Sequence, residues 1–233
     1  MAATNQLTLY TATVRIALDE AGAQYKIHEF GKEKGNKPHW YYTINPLGKI
    51  PAITYGGPDV PSDQPSPESE KLTESLALLE FLADIYPESD LLPADPVLRA
   101  KARRVIAYYE NYVHHAFRAA FFLAHPCESV LQAVDKFQAV LHPTGFAIGQ
   151  FSIADCAVGP WLARLMLFLR KNLGAYSQEE GDKLRAALAG EKYARFNRYV
   201  QDVTERPSFQ NSWEEVSAIT PYTAVAVVDI SCR

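Results

Sequence analysis

Apolar and polar positions change rhythm every few residues over the first third of the chain. "LTLY" (residues 7–10) is a short apolar run that predicts a buried strand, and Val14, Ala17, Leu18 and Ala21 then recur at helical spacing. "QYKIHEF" alternates as a half-buried strand. "NKPHWYYTIN" opens a short helix with Pro38 at a tolerated first-turn position, and "IPAITY" is another strand. "GGPDVPSDQPSPESE" is too polar and too rich in proline to be core. After it, "SLALLEFLADIY" carries Leu78, Leu79, Leu82 and Ile85 on one helical side. The order β-α-β-α-β-β-α predicts a small α/β domain over residues 1–87.

Beyond "PESDLLPADP" the strand signals stop. "VLRAKARRVIAYYENYVHHAFRAAFFLA" predicts one long helix, and "CESVLQAVDKFQAVL", "SIADCAVGPWLARLMLFLRKNL" and "YARFNRYVQDVTE" predict further ones. The chain is therefore read as an α/β domain at 1–87, a proline-bearing linker at 88–95, a helical domain at 96–215 and an atypical tail at 216–233.

Composition narrows the classes of function. With 48% hydrophobic and 21% charged residues the 233-residue chain reads as globular. It has no apolar run long enough for a membrane span. The start "MAATNQLTLY" has neither a basic n-region nor an apolar h-region, so secretion is not expected. Cys127, Cys156 and Cys232 do not make a disulfide scaffold and suit a reducing compartment. A net charge of −4 with scattered cations leaves no basic stripe for nucleic acid. These features predict a cytoplasmic protein with neither nucleic-acid nor membrane partners. His114 and His115 adjoin, but no histidine pair has metal-ligand spacing with a carboxylate or cysteine, so no metal is expected.

Three motifs carry candidate chemistry. "NPLGKIPAI" places the turn Asn45-Pro46-Leu47-Gly48 before a strand entered through Pro51. It reads either as an ordinary turn into an edge strand or as a cis Pro51 that turns the backbone of Ile50 outward to a peptide-like ligand. "LTESLALLEF" sets Glu74 and Ser75 at a helix start. Ser75 is expected to be an N-cap, and the same amides could take a ligand carboxylate while Glu74 takes an ammonium. Ser152-Ile153-Ala154-Asp155 is a capping box, with Cys156 as packing behind it.

Together these residues resemble a glutathione transferase. "NKPHW", "NPLGKIPAI", "EKLTESLALLEFLADIYP" and "SIAD" stand in that family's order between about Leu7 and Trp213. The Asn-Lys-Pro-x-Trp element resembles the omega class, and the long proline-rich hairpin "YGGPDVPSDQPSPESEKLTES" resembles its fungal omega-like branch. The resemblance implies a thioredoxin-like N-terminal domain followed by an all-helical C-terminal domain, glutathione as co-substrate, a small hydrophobic or aromatic second substrate, and a homodimer. By position, Lys37 would face the glycine end of glutathione, although taken alone it reads as a solvated helix-start lysine. Ile50, before cis Pro51, would pair with the cysteinyl backbone, and Glu74 and Ser75 would hold the γ-glutamyl end. The aromatics around "AYYENYVHHAF" are core by default, and Tyr112, Phe117 and Trp161 are the candidates for a hydrophobic-substrate pocket.

The catalytic position departs from the resemblance. The family places a loop with Cys-Pro-Phe or Ser-Pro-Phe between its first strand and a helix beginning "RVRIAL". Here "LTLYTA" runs straight into "TVRIALDEAG". Thr11 and Thr13 are the nearest hydroxyls and neither matches, so no catalytic residue is assigned. The end departs too: "VSAITPYTAVAVVDISCR" is apolar and broken by proline, and Val216-Ser217 can be encoded by a splice-donor sequence. A skipped short exon and a translated intron would explain both departures. Two functions follow. One is an omega-like transferase conjugating glutathione to small hydrophobic electrophiles, or exchanging it with thioethers or disulfides, in detoxification. The other is a module that binds glutathione or aromatic compounds without turnover.

Overall fold

The computed structural model describes residues 6–10, 14–30 and 37–215. Thr11 and Thr13, and with them the proposed loop deletion, lie outside the described residues, as do Asn36, Cys232 and the whole 216–233 tail. The chain divides into two compact units, Met1–Leu92 and Pro93–Arg233.

The first unit is built on a four-stranded sheet in the order β2-β1-β3-β4. Its elements are β1 (Leu7–Tyr10), α1 (Arg15–Glu20), β2 (Lys26–His28), β3 (Ala52–Tyr55), β4 (Glu70–Thr73) and α2 (Ser75–Ile85). β1 runs parallel to β2 and antiparallel to β3, and β3 is antiparallel to β4. Every residue of β1 is buried, because it is an interior strand with partners on both sides. Val14 at the cap of α1, Ala17 and Leu18 within it, and Leu78, Leu79 and Leu82 from α2 complete the core. This is the thioredoxin-like arrangement the resemblance implied.

Two expectations here need correction. The strand read across "QYKIHEF" shrinks to three residues, with Ile27 38% exposed. It is an edge strand, paired only along a four-residue neighbour. The helix read in "NKPHWYYTIN" is one 3₁₀ turn, His39–Thr43. Pro38 precedes that turn in an extended conformation instead of occupying its first position.

The second unit is helical throughout its described elements: α3 (Pro96–Tyr108), α4 (His115–Leu123), α5 (Glu128–Gln138), α6 (Ile153–Arg170), α7 (Gln178–Leu188), α8 (Ala194–Thr204) and α9 (Pro207–Ser212). α6 is its centre. It packs on α3, α7 and α8, and a side chain at Gly159 would come within 2.4 Å of Val203, so only glycine permits the close approach of α6 to α8. α6 starts on the expected capping box, with Ser152 and Asp155 each bonding the other's backbone region.

The single long helix expected from residue 97 to 124 is continuous but not uniform. A π turn, Tyr109–His114, joins α3 to α4. The buried positions explain it: Val105, Tyr109, Val113, Phe117 and Phe121 recur at steps of four. A straight α-helix turns about 100° per residue, so four such steps would carry the stripe about 160° off the core. The wider turn, equivalent to one extra residue, takes up about 100° of that drift. α7 and α9 add to the helices expected above, and α7 has a legible start in the sequence. Ser177 caps it by accepting from the Glu180 amide at 3.2 Å, and Leu184 and Leu188 form its buried face.

Candidate functional site

The register of the first sheet gathers the candidate residues at one end. Tyr10 pairs with His28 on one side and Ala52 on the other, and Ala52 pairs with Thr73. The exit of β1, the exit of β2, the entry of β3 and the exit of β4 therefore share one edge of the sheet. Ile50 and Pro51 lead into that edge, and Glu74 and Ser75 lead out of it.

The Asn45–Gly48 turn is held from several directions. The Gly48 amide donates to the Asn45 carbonyl at 2.8 Å, and the Leu47 amide donates to the Asn45 side chain at 3.0 Å. The Asn45 amide group and the Tyr41 hydroxyl both donate to the Lys49 carbonyl, at 2.8 and 2.6 Å. Gly48 sits at φ +64°, and a side chain there would meet the Tyr42 ring at 2.9 Å. The Ile50–Pro51 peptide is cis, and Ile50 is 38% exposed.

The α2 start differs from expectation. Ser75 is not the cap but the first helical residue. Glu74 occupies the cap position at φ 70°, ψ 112°, and no side chain caps the helix. Residue preference favours serine over glutamate as a cap, which points to Ser75, yet Glu74 holds that place. The positive φ of Glu74 moves the helix start by one position. Glu74, Leu76 and Ala77 are exposed and Ser75 is half-buried, so the first-turn amides lie at an accessible helix end where a carboxylate is favoured.

Lys37 does not sit in open solvent. Its Nζ lies 3.9 Å over the Phe30 ring, and burial lowers its pKa from the usual lysine value. Phe30 belongs to an aromatic cluster with Tyr10, His28, Trp40 and Tyr41, ring centroids 4.7–6.5 Å apart. The Tyr10 hydroxyl donates to the Ser62 carbonyl at 2.8 Å, and His28 Nδ1 lies 2.9 Å from the Ser62 hydroxyl, tying the proline-rich excursion to the cluster. Burial raises the pKa of Tyr10, and burial pushes Tyr41 up to about 12, so both phenols stay protonated. Sequence reasoning missed this cluster, although the spacing of Phe30, Trp40 and Tyr41 around "NKP" was available.

In the second unit the three pocket candidates find different neighbours. Tyr112 is 47% exposed and its ring centroid lies 5.2 Å from that of Tyr108. Phe117 is buried with its ring against Phe121, Phe122 and Phe168. Trp161 is stacked on His114 at 5.4 Å with the Arg164 guanidinium 4.6 Å over its ring. A cavity of about 620 Å³ in this unit is lined by Phe146, Arg195, Arg198 and Arg206, but its cations are engaged. Arg195 donates to the His142 and Gly145 carbonyls, Arg198 pairs with Asp202, and Arg206 covers Phe151. Among the described residues no His/Cys/Asp/Glu group could hold a metal ion, and no helix is long and apolar enough to cross a membrane.

A thioredoxin-like sheet with an accessible helix start and a Pro-turned loop at one edge, followed by an all-helical unit, is the architecture of a glutathione transferase. Residues 9–85 match the family model for the glutathione S-transferase N-terminal domain. The structure of glutathione transferase Omega 2S from Trametes versicolor, in complex with 2,4-dihydroxybenzophenone, is 52% identical, covers 95% of this chain and 99% of its own, and superposes with a TM-score of 0.90. Glutathione transferase Omega 2C from Trametes versicolor is 44% identical over 94% of this chain and 98% of its own, with a TM-score of 0.87. Among curated relatives, human glutathione S-transferase omega-2 is 26% identical over 57% of this chain and 54% of its own length. The chain belongs to the glutathione transferase family, in its omega class.

Proposed function

We propose that this omega-class transferase binds glutathione at the sheet edge through Lys37, Ile50, Pro51, Glu74 and Ser75. The carrying observation is the register, which brings the Ile50 backbone and the accessible start of α2 to the same edge. Glutathione offers two carboxylates, one ammonium and a peptide backbone. The α2 amides and Ser75 suit the γ-glutamyl carboxylate, Glu74 its ammonium, Ile50 the cysteinyl backbone and Lys37 the glycine carboxylate. The family's enzymes favour a transferase over a module that binds without turnover. With the catalytic loop in place, the reaction would be conjugation of a small hydrophobic or aromatic electrophile, or thiol transfer, in cytoplasmic detoxification by a homodimer. Tyr112, Phe117 and Trp161 are proposed for the second substrate. The 2,4-dihydroxybenzophenone held by the Trametes versicolor relative supports an aromatic one.

The catalytic loop is proposed to be missing. β1 ends at Tyr10 and α1 begins at Arg15, and no residue of the sequence between them matches a Cys-Pro or Ser-Pro nucleophile motif. A cysteine thiol near pKa ~8.5 is mostly protonated at neutral pH, so a transferase needs a group that favours the thiolate. Weak glutathione binding and near-background turnover are expected of the chain as it stands. The site is tested by retention on immobilised glutathione and by thermal stabilisation with free glutathione. Glu74→Ala should weaken both, and equal retention of the variant would refute the assignment.

A further inference from the structure

We propose that Phe30 is a positioning residue for Lys37: its ring face holds the ammonium in place while leaving it free to meet a carboxylate. The inference rests on the reading above in which Lys37 faces the glycine end of glutathione. Its own ground is the contact of Lys37 Nζ with the Phe30 ring, 3.9 Å from the centroid.

A flexible four-carbon stem loses rotamer freedom when its ammonium is fixed by a ligand. An acidic neighbour could fix the group beforehand, but it would neutralise the charge and compete with the incoming carboxylate. An aromatic face attracts a cation through its quadrupole without cancelling the charge or occupying more than one side of it. Among the described residues no carboxylate forms an ion pair with Lys37, while the described ion pairs of Lys26, Lys183 and Lys192 are with Asp59, Glu179 and Asp135. The burial that lowers the Lys37 pKa fits an ammonium drawn onto an apolar surface and partly stripped of water. Such a charge pairs more strongly with a carboxylate than a fully hydrated one does.

The Phe30 ring is itself packed among other aromatic rings. Phe30 meets Tyr41 edge-on at 4.7 Å and His28 edge-on at 4.9 Å, and it stacks on Trp40 at 6.1 Å. Tyr41 is fully buried and its hydroxyl donates to the Lys49 carbonyl at 2.6 Å, one residue before Ile50. The aromatic cluster thus fixes the Lys37 ammonium and the Ile50 loop from a single packed body.

The test separates the platform from the fold and from the underlying reading. Glutathione and γ-glutamylcysteine, which lacks the glycine carboxylate, are titrated against the whole chain and its Lys37→Ala variant. Wild type should prefer glutathione and Lys37→Ala should erase the preference. If wild type shows no preference, the reading of Lys37 fails and the proposal falls with it. If that reading holds, phenylalanines of increasing ring fluorination are placed at position 30. They keep the shape and weaken the ring quadrupole stepwise. Affinity for glutathione should fall progressively, by about three- to tenfold across the series, while the affinity for γ-glutamylcysteine stays level. A preference that survives full fluorination, or an equal loss for both ligands, would overturn the role of Phe30 with that of Lys37 left standing.

Discussion

The carboxyl of Asp155 should make the stability of the helical unit depend on pH in an unusual direction. It is fully buried and accepts hydrogen bonds from the Ala147 amide at 2.9 Å, the Ser152 amide at 2.9 Å and the Ser152 hydroxyl at 3.1 Å. Burial pushes its pKa up to about 6, and those hydrogen bonds, which favour the charged form, pull the other way without cancelling it. An unfolded aspartate titrates near ~3.9. The folded state therefore holds the proton more tightly. The stabilisation it gains this way is fully present below about pH 4 and lost as pH rises through about 6, a span worth about 3 kcal/mol in all. Asp155→Asn removes the titration while nearly preserving shape, so every other group cancels in the comparison. Urea unfolding of both proteins at about pH 7.5 and about pH 4.5 should show wild type gaining about 2 kcal/mol over Asp155→Asn at the lower pH. A difference between the two that does not change with pH would refute the reasoning. Asp155→Ala is a separate check. It leaves the Ala147 and Ser152 amides buried without their acceptor and should cost about 2–6 kcal/mol at neutral pH, at ~1–3 for each donor.

Gly48→Ala should destabilise by about 1–3 kcal/mol in thermal unfolding, since φ +64° disfavours alanine and the new methyl meets Tyr42, and it should weaken glutathione retention by disturbing the loop before Ile50. Inserting a loop with Cys-Pro or Ser-Pro between Ala12 and Thr13 should raise glutathione-dependent turnover by orders of magnitude. Turnover by the unmodified chain at about 1–10³ per second would instead give Thr11 or Thr13 the work. Sequencing the spliced transcript should reveal a skipped exon before "TVRIAL" and an intron read at Val216. A spliced message matching all 233 codons without interruption would end that explanation.

The elements that could be read from the sequence are those whose burial follows one local period. β1 is apolar throughout because it is interior, α2 shows its Leu78-Leu79-Leu82 stripe, and the Ser152–Asp155 box announces α6. Features set by long-range pairing or by an irregular backbone were hidden. The length of β2 depends on its partner. The α2 start depends on a positive φ at Glu74, which no residue preference suggests. The contact of Lys37 with Phe30 joins residues seven apart, a spacing that neither helical nor strand periodicity brings out in the sequence. Tyr112, Phe117 and Trp161 look alike as aromatics, but the fold gives the first an exposed position, the second a core position and the third a histidine and an arginine for neighbours.

The π turn at Tyr109–His114 bears on how this chain's length can vary. It is a helix carrying one residue more than its path requires, in effect an insertion stored in place without breaking the backbone. Deleting one residue there would return the segment to ordinary pitch, with α3 and α4 each keeping its own inward face and only the side chains of that turn changing direction. The same deletion in the middle of α3 or α4 would rotate everything beyond it by about 100° and expose half the stripe. A one-residue gap between related chains is therefore tolerable at this place and hardly anywhere else along that helix. It would re-aim Tyr112 and His114 while the packing of Phe117 and Phe121 stayed as it is.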